Sequence, residues 1–165
     1  MEKKNQFVIA VYVDNQSGVL TRVTSMFTRR GFNIDALTVG ETESPEYSRI
    51  TISLSGDGYA REQLINQLRK LHNVVKIEYL EPETSVTREL MLIKVKTSPE
   101  TRAEIIQIMD IFRERIIDIV RRSMIIEATG DEDKIEAIVK SLQPFGIQEI
   151  VKTGVSAMVR SPKEK

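Results

Sequence analysis

The chain is predicted to be an α+β protein made of two successive β-α-β-β-α-β units. Three observations lead there. Stretches that alternate apolar and polar residues, with β-branched side chains, switch in turn with stretches whose apolar residues recur at helical spacing. The switching order in residues 7–80 recurs in residues 90–153, giving two units of about 80 residues each once the flanking turns and termini are included. A polar, proline-bearing stretch, Glu81-Pro82-Glu83-Thr84-Ser85, separates the two. This order is that of a ferredoxin-like, split-βαβ arrangement, an antiparallel sheet with two helices on one face. The opposite face of each sheet then needs a cover or must be polar.

In the first unit Phe7–Val13 alternates and reads as a strand. The polar turn Asp14-Asn15-Gln16-Ser17-Gly18 follows. Val19, Leu20, Val23, Met26 and Phe27 then fall on one helical face. Ser17 is placed to cap that helix. Arg29 and Arg30 occupy its last turn, where cations suit the dipole, and Gly31 is a suitable residue to end it. Ile34–Glu43 is a second strand, Glu43-Ser44-Pro45-Glu46 a turn, and Tyr47–Ser55 a third strand with Ile50, Ile52 and Leu54 on one face. Ser55-Gly56-Asp57-Gly58 turns into a helix with the stripe Leu64, Ile65, Leu68 and Leu71, and Val74–Leu80 is the fourth strand.

The second unit opens with the strand Leu90–Lys96. Ser98-Pro99-Glu100 is a helix start, with a cap, a proline at the first position and an acid in the first turn. Ile105, Ile106, Met109 and Phe112 supply its core stripe. Arg115–Val120 and Met124–Thr129 are strands. Gly130-Asp131-Glu132-Asp133 leads into a helix carrying Ile135, Ile138, Val139 and Leu142, which ends at Pro144-Phe145-Gly146. Ile147–Thr153 is the last strand of the unit, and Gly154–Arg160 extends it or adds another. The expected bounds are 1–82 and 88–160 for the two domains, 83–87 for the linker and 161–165 for a frayed tail. Cores this small are marginal, so pairing with a second copy is expected.

Composition removes several functions. Lys plus Arg and Asp plus Glu each total 24, so no net field favours nucleic acid or an anionic membrane. Aromatic residues are 5% and Trp is absent, which argues against the stacking platforms of single-strand binders. Cysteine is absent, which excludes disulfides and thiolate metal sites and points to the cytoplasm. The apolar run near the start is too short to span a membrane and lacks a small-residue cleavage site. His72 is the single histidine, so a His-based metal site or a Ser-His-Asp triad has little material; it reads as a helix-end cation or a surface residue. Asp131-Glu132-Asp133 reads as dipole complementation, with a carboxylate-only Mg²⁺ site as the alternative. Arg29-Arg30 and Arg121-Arg122 read as solvated surface, because neither GxGxxG nor GxxxxGK[ST] occurs to support phosphate binding.

One stretch carries more than a fold. The turn Asn15-Gln16-Ser17-Gly18 places side-chain amides beside a helix N-terminus whose backbone N–H groups lack intrahelical partners, a setting that suits a small carboxylate. Gly18 has no Cβ, so a ligand can approach the backbone there. Asn33, past the helix, can donate to a carboxylate or accept from an ammonium. A plain helix start is the other reading of the turn.

The run DNQSGVLTRVTSMFTRRGFNIDALTVG, with SRITI, LINQLRKLHNVVKI, RELMLIKVK and FRERIIDI further on, resembles the small, regulatory subunits of acetolactate synthase (acetohydroxyacid synthase). The resemblance covers nearly the whole chain and is strongest over Val11–Ile52 and Arg88–Asp118. Asp14 and Gln16 stand where relatives often have Glu. The resemblance implies an N-terminal ACT domain and a C-terminal ferredoxin-like domain. It implies a homodimer that binds valine or a related branched-chain amino acid at the ACT interface. It also implies a non-catalytic role: activating a separate catalytic subunit, which carries thiamine diphosphate, Mg²⁺ and FAD, and making it sensitive to feedback inhibition. The family's effector residues fall on Asn15, Gly18 and Asn33. Ser17, Val19, Leu20 and Ile34 complete the expected effector site, which has no catalytic or metal-ligating member. The competing readings are a stand-alone amino-acid sensor acting on transcription or on another enzyme, a carboxylate-metal enzyme, and a nucleic-acid-binding ferredoxin-like domain.

Overall fold

The computed structural model describes residues 6–161. Its elements run β1 (Gln6–Asp14), α1 (Val19–Arg30), β2 (Ile34–Glu41), β3 (Tyr47–Ser55), α2 (Gly58–Leu68), β4 (Val74–Leu80), β5 (Ser85–Lys96), α3 (Pro99–Phe112), β6 (Arg115–Val120), β7 (Ser123–Gly130), α4 (Glu132–Leu142), a 3-10 turn at Gln143–Phe145, β8 (Ile147–Lys152) and β9 (Ser156–Val159). The fold is α+β, with the expected β-α-β-β-α-β order twice over. The two sheets repeat one strand order, β2-β3-β1-β4 in the four-stranded first and β6-β7-β5-β8 in the five-stranded second, where β9 also pairs with β5.

In the four-stranded sheet of the first unit the pairings β1–β3, β1–β4 and β2–β3 are antiparallel. Alternation along β1 sends Phe7, Ile9, Val11 and Val13 to one face, where they meet Ile50, Ile52 and Leu54 of β3. Val19, Val23, Met26 and Phe27 of α1 and Leu64 and Leu68 of α2 close that core. Each such side chain, fully buried, contributes about 1.5–3 kcal/mol. Helix punctuation is local: Gly31 ends α1 in the left-handed conformation (φ 72°), and the Asp57 side chain caps α2 by accepting from the Ala60 amide.

The first sheet's other face is covered by residues 154–160. The described residues form two compact units, one running to Val86 and resuming at Gly154, the other spanning Thr87–Thr153. This division differs from the bounds read from sequence at two places. The stretch read as a linker contains the start of β5, whose Ser85 is buried. Residues 156–159 form β9, which pairs with β5 as the added strand expected there, but the stretch 154–160, read as belonging with the second unit, also packs on the face of the first sheet. Ala157 is buried with Ala10 and Leu80, and Val8, Tyr12 and Val155 pack around them. Arg49 Nη2 donates to the Ala157 carbonyl at 2.5 Å, and the Arg160 amide donates to the Thr84 carbonyl at 2.8 Å. A Cβ on Gly154 would lie 2.7 Å from the Leu37 carbonyl oxygen. The segment therefore touches β2, β1, β3 and β4. The physical reason is that face itself, whose small and apolar residues Val8, Ala10 and Leu80 would otherwise meet water.

The second unit is built the same way. Met91, Ile93 and Val95 of β5 and Met124, Ile126 and Ala128 of β7 pack on Ile105 and Met109 of α3 and Ile135, Ile138 and Leu142 of α4. Ser98 and Thr101 exchange hydrogen bonds in a capping box at the start of α3, and Asp131 caps α4 through the Lys134 amide.

Candidate functional site

The turn between β1 and α1 is held in an open form. β1 ends at Asp14, opposite Tyr47. Gly18 has φ 84° and ψ −6°, a left-handed conformation that costs other residues about 1–2 kcal/mol. With Gly18 bent this way the chain turns directly into α1. No side chain caps the helix, so Ser17 does not have the capping role expected of it, and no acidic residue lies in the first turn. The Gly18 carbonyl instead accepts the Arg22 amide at 3.1 Å, and the Val19 amide reaches back to the Gln16 carbonyl at a long 3.3 Å. The start of α1 thus has neither a side-chain cap nor an acid in its first turn to complement its dipole. A Cβ built on Gly18 meets nothing within 4 Å, so the space before the helix is open.

Asn15 anchors this turn to the neighbouring hairpin. Its Nδ2 donates to Glu41 Oε1 at 3.0 Å and to the Pro45 carbonyl at 2.9 Å, and its Oδ1 accepts from Ser48 Oγ at 2.9 Å. Its own amide donates to the Glu46 carbonyl at 2.8 Å. Glu41 and Ser48 were not foreseen from sequence, since only the pairing of β2 with β3 brings that hairpin to the turn.

The structure brings together Asn15, Ser17, Gly18, Val19 and Leu20. The Val19 side chain is in the core, whereas Leu20 is 40% exposed beside the turn. Asn33 and Ile34 lie past Gly31, at the opposite end of α1. A helix of 12 residues is about 18 Å long, too far for one amino acid to touch both ends within one chain. Asn33 is exposed, and Ile34 is half-buried against the first core.

The remaining charged motifs are structural. His72 Nε2 meets Arg22 Nη1 at 3.1 Å. Asp131 caps α4, and partial burial, aided by the carboxylates of Glu89 and Glu136, pushes the Glu132 carboxyl up. Arg121 and Arg122 flank a cleft with Lys96 and Gln148, where the start of α3 is already closed by its capping box. Among the described residues no group of three or more His, Asp or Glu side chains could hold a metal ion, and no helix is long and apolar enough to cross a membrane.

Residues 9–76 match the model of an AHAS small subunit-like ACT domain, and residues 88–161 match that of the small subunit of acetolactate synthase. A probable acetolactate synthase small subunit of Archaeoglobus fulgidus is 51% identical over 94% of this chain and 98% of its own length. The chain belongs to the acetolactate synthase small-subunit family. Family membership places it with the regulatory chains of that enzyme. Among other small subunits, that of Bacillus subtilis is 43% identical, over 96% of this chain and 92% of its own. The crystal structure of the acetolactate synthase small subunit from Thermotoga maritima superposes with a TM-score of 0.88 at 42% identity, covering 96% of this chain and 99% of that one.

Proposed function

We propose that this small subunit activates the catalytic subunit of acetolactate synthase and makes it sensitive to valine, or a related branched-chain amino acid, bound at the interface of an ACT homodimer. The observation that carries the reading is the α1 N-terminus. It is uncapped, free of acids in its first turn and opened by a left-handed glycine, in a chain of this family. The effector carboxylate is received by backbone N–H groups around Gly18 and Val19, where the helix dipole favours negative charge. Leu20 of one copy and Ile34 of the second copy offer apolar surface to a branched side chain.

Asn33 serves the site from the second copy of the chain, because the length of α1 separates it from Gly18. β2, at one end of the sheet order, offers an edge along which two copies can pair. Asn15, committed to the β2–β3 hairpin, links occupancy of the turn to that edge. The effector inhibits by binding one dimer geometry better than another, and a coupling of about 1–3 kcal/mol suffices. Thiamine diphosphate, Mg²⁺ and FAD belong to the catalytic subunit in this reading, and the complex works in the cytoplasm.

The test is reconstitution. The protein is mixed with its cognate catalytic subunit, and acetolactate formation from pyruvate is followed with and without valine. The expected outcome is a higher rate on mixing and a fall in that rate as valine is added. A rate indifferent both to this chain and to valine overturns the reading.

A further inference from the structure

The effector turn has two limbs, the end of β1 and the first turns of α1, and one buried amide outside the turn grips both. Asn73, in the connection between α2 and β4, is only 6% exposed. Its Nδ2 donates to Asp14 Oδ2 at 2.9 Å and its Oδ1 accepts from Arg22 Nη1 at 2.7 Å. Its main-chain carbonyl accepts the Asp14 amide at 3.0 Å. Asp14 is the last residue of β1, and Arg22 is bonded through its own amide to the Gly18 carbonyl. The side-chain amide is thus oriented with its donor end on a carboxylate and its acceptor end on a guanidinium, two charge-assisted bonds that reinforce one another.

We propose that Asn73 is the positioning residue of the effector site, setting the direction of the Gly18 and Val19 amides without touching the ligand. This rests on the reading of that turn as the effector site. Asn15 fixes the turn against the β2–β3 hairpin, and Asn73 fixes the spacing of the limbs that feed it. Amides held in place before a ligand arrives are not ordered at the ligand's expense. The residue type is narrowly determined. Aspartate presents an oxygen to Asp14, leucine offers neither bond, and glutamine is one methylene too long for a site this enclosed.

Valine binding to the full-length chain is measured by titration calorimetry. Asn73→Asp keeps the acceptor for Arg22 but sets a carboxylate oxygen against Asp14, and is expected to weaken valine binding about tenfold or more, the effect of losing a charge-assisted bond. The double variant Asp14→Asn, Asn73→Asp restores the bond with donor and acceptor exchanged, and is expected to recover most of the affinity. A core variant, Ile52→Val, binding at a temperature that leaves the same margin below melting, is expected to bind valine like the parent; loss of packing alone would weaken both. Unchanged affinity in Asn73→Asp overturns the positioning role, as does a double variant as weak as the single one or a core variant as weak as Asn73→Asp. A parent chain that binds no valine overturns the effector reading of the turn and this role with it.

Discussion

Gly18→Asp separates the folding role of the turn from its binding role, because the two are affected in opposite proportion. The new side chain meets no steric barrier, since nothing lies within 4 Å of the position its Cβ takes. Its cost is the left-handed backbone at φ 84°, about 1–2 kcal/mol. Set against this is the attraction of a carboxylate to the start of α1, about 0.3–1 kcal/mol. The capping geometry is poor because a good N-cap residue is extended rather than left-handed, so no larger gain is expected. The net loss is about 0–2 kcal/mol, which in a domain of this size lowers the melting temperature by at most about 15 °C. Binding suffers far more. The aspartate occupies the space, and repels the charge, of the carboxylate that the turn is proposed to receive. Thermal melting, valine calorimetry and the reconstituted synthase assay are run on the same preparation. The expected result is a folded variant that still activates the catalytic subunit and no longer responds to valine. Undiminished valine inhibition refutes the assignment of the turn, and a variant unfolded at room temperature refutes the strain estimate.

Two further perturbations examine how the first unit is closed. Gly154→Ala places a methyl group 2.5 Å from Thr38 Oγ1 and 2.7 Å from the Leu37 carbonyl oxygen. Backbone cannot yield as a side chain can, so the covering segment must lift, at a cost of about 1–3 kcal/mol. Melting should occur at lower temperature with increased binding of an apolar dye, whereas melting like the parent's would mean the segment is not seated there. Glu78→Gln tests pH dependence. The Lys76 ammonium, hydrogen-bonded to the Glu78 carboxylate, holds that carboxyl below its ordinary value; burial opposes this and the Tyr12 hydroxyl assists it. A carboxyl with a lowered folded value adds stability that is fully present above its unfolded value near 4.5 and is lost as the pH falls through the folded one. The variant should therefore melt below the parent at neutral pH, with the difference shrinking as the pH drops under 4.5; a gap that is constant with pH contradicts the pairing.

Much of the candidate site could be read from residue order alone. Gly18 and Gly31 bracket an amphipathic stretch, and a glycine in a polar turn ahead of such a stretch marks a backbone conformation and an open approach together. Ser17 misled because a serine before a helix is ordinarily its cap. Here the left-handed Gly18 intervenes and is itself the residue at the N-cap. Asn73 gave no signal, being a single amide beside a histidine at the end of a helical stretch. Its importance depends on Asp14, 59 residues earlier, and Arg22, 51 residues earlier, arriving on either side of it.

Sequence by itself determined the element order, the repeat and the four helical stripes, because period and punctuation act within a dozen residues or so and are written locally. The family resemblance lies in the same local runs. Only the tertiary structure decided that β1 lies between β3 and β4, that residues 154–160 return to the first sheet, and that Asn73 clamps the turn. Those outcomes depend on which apolar face and which buried polar group lack a partner once the strands have assembled, and that condition does not exist until distant segments meet.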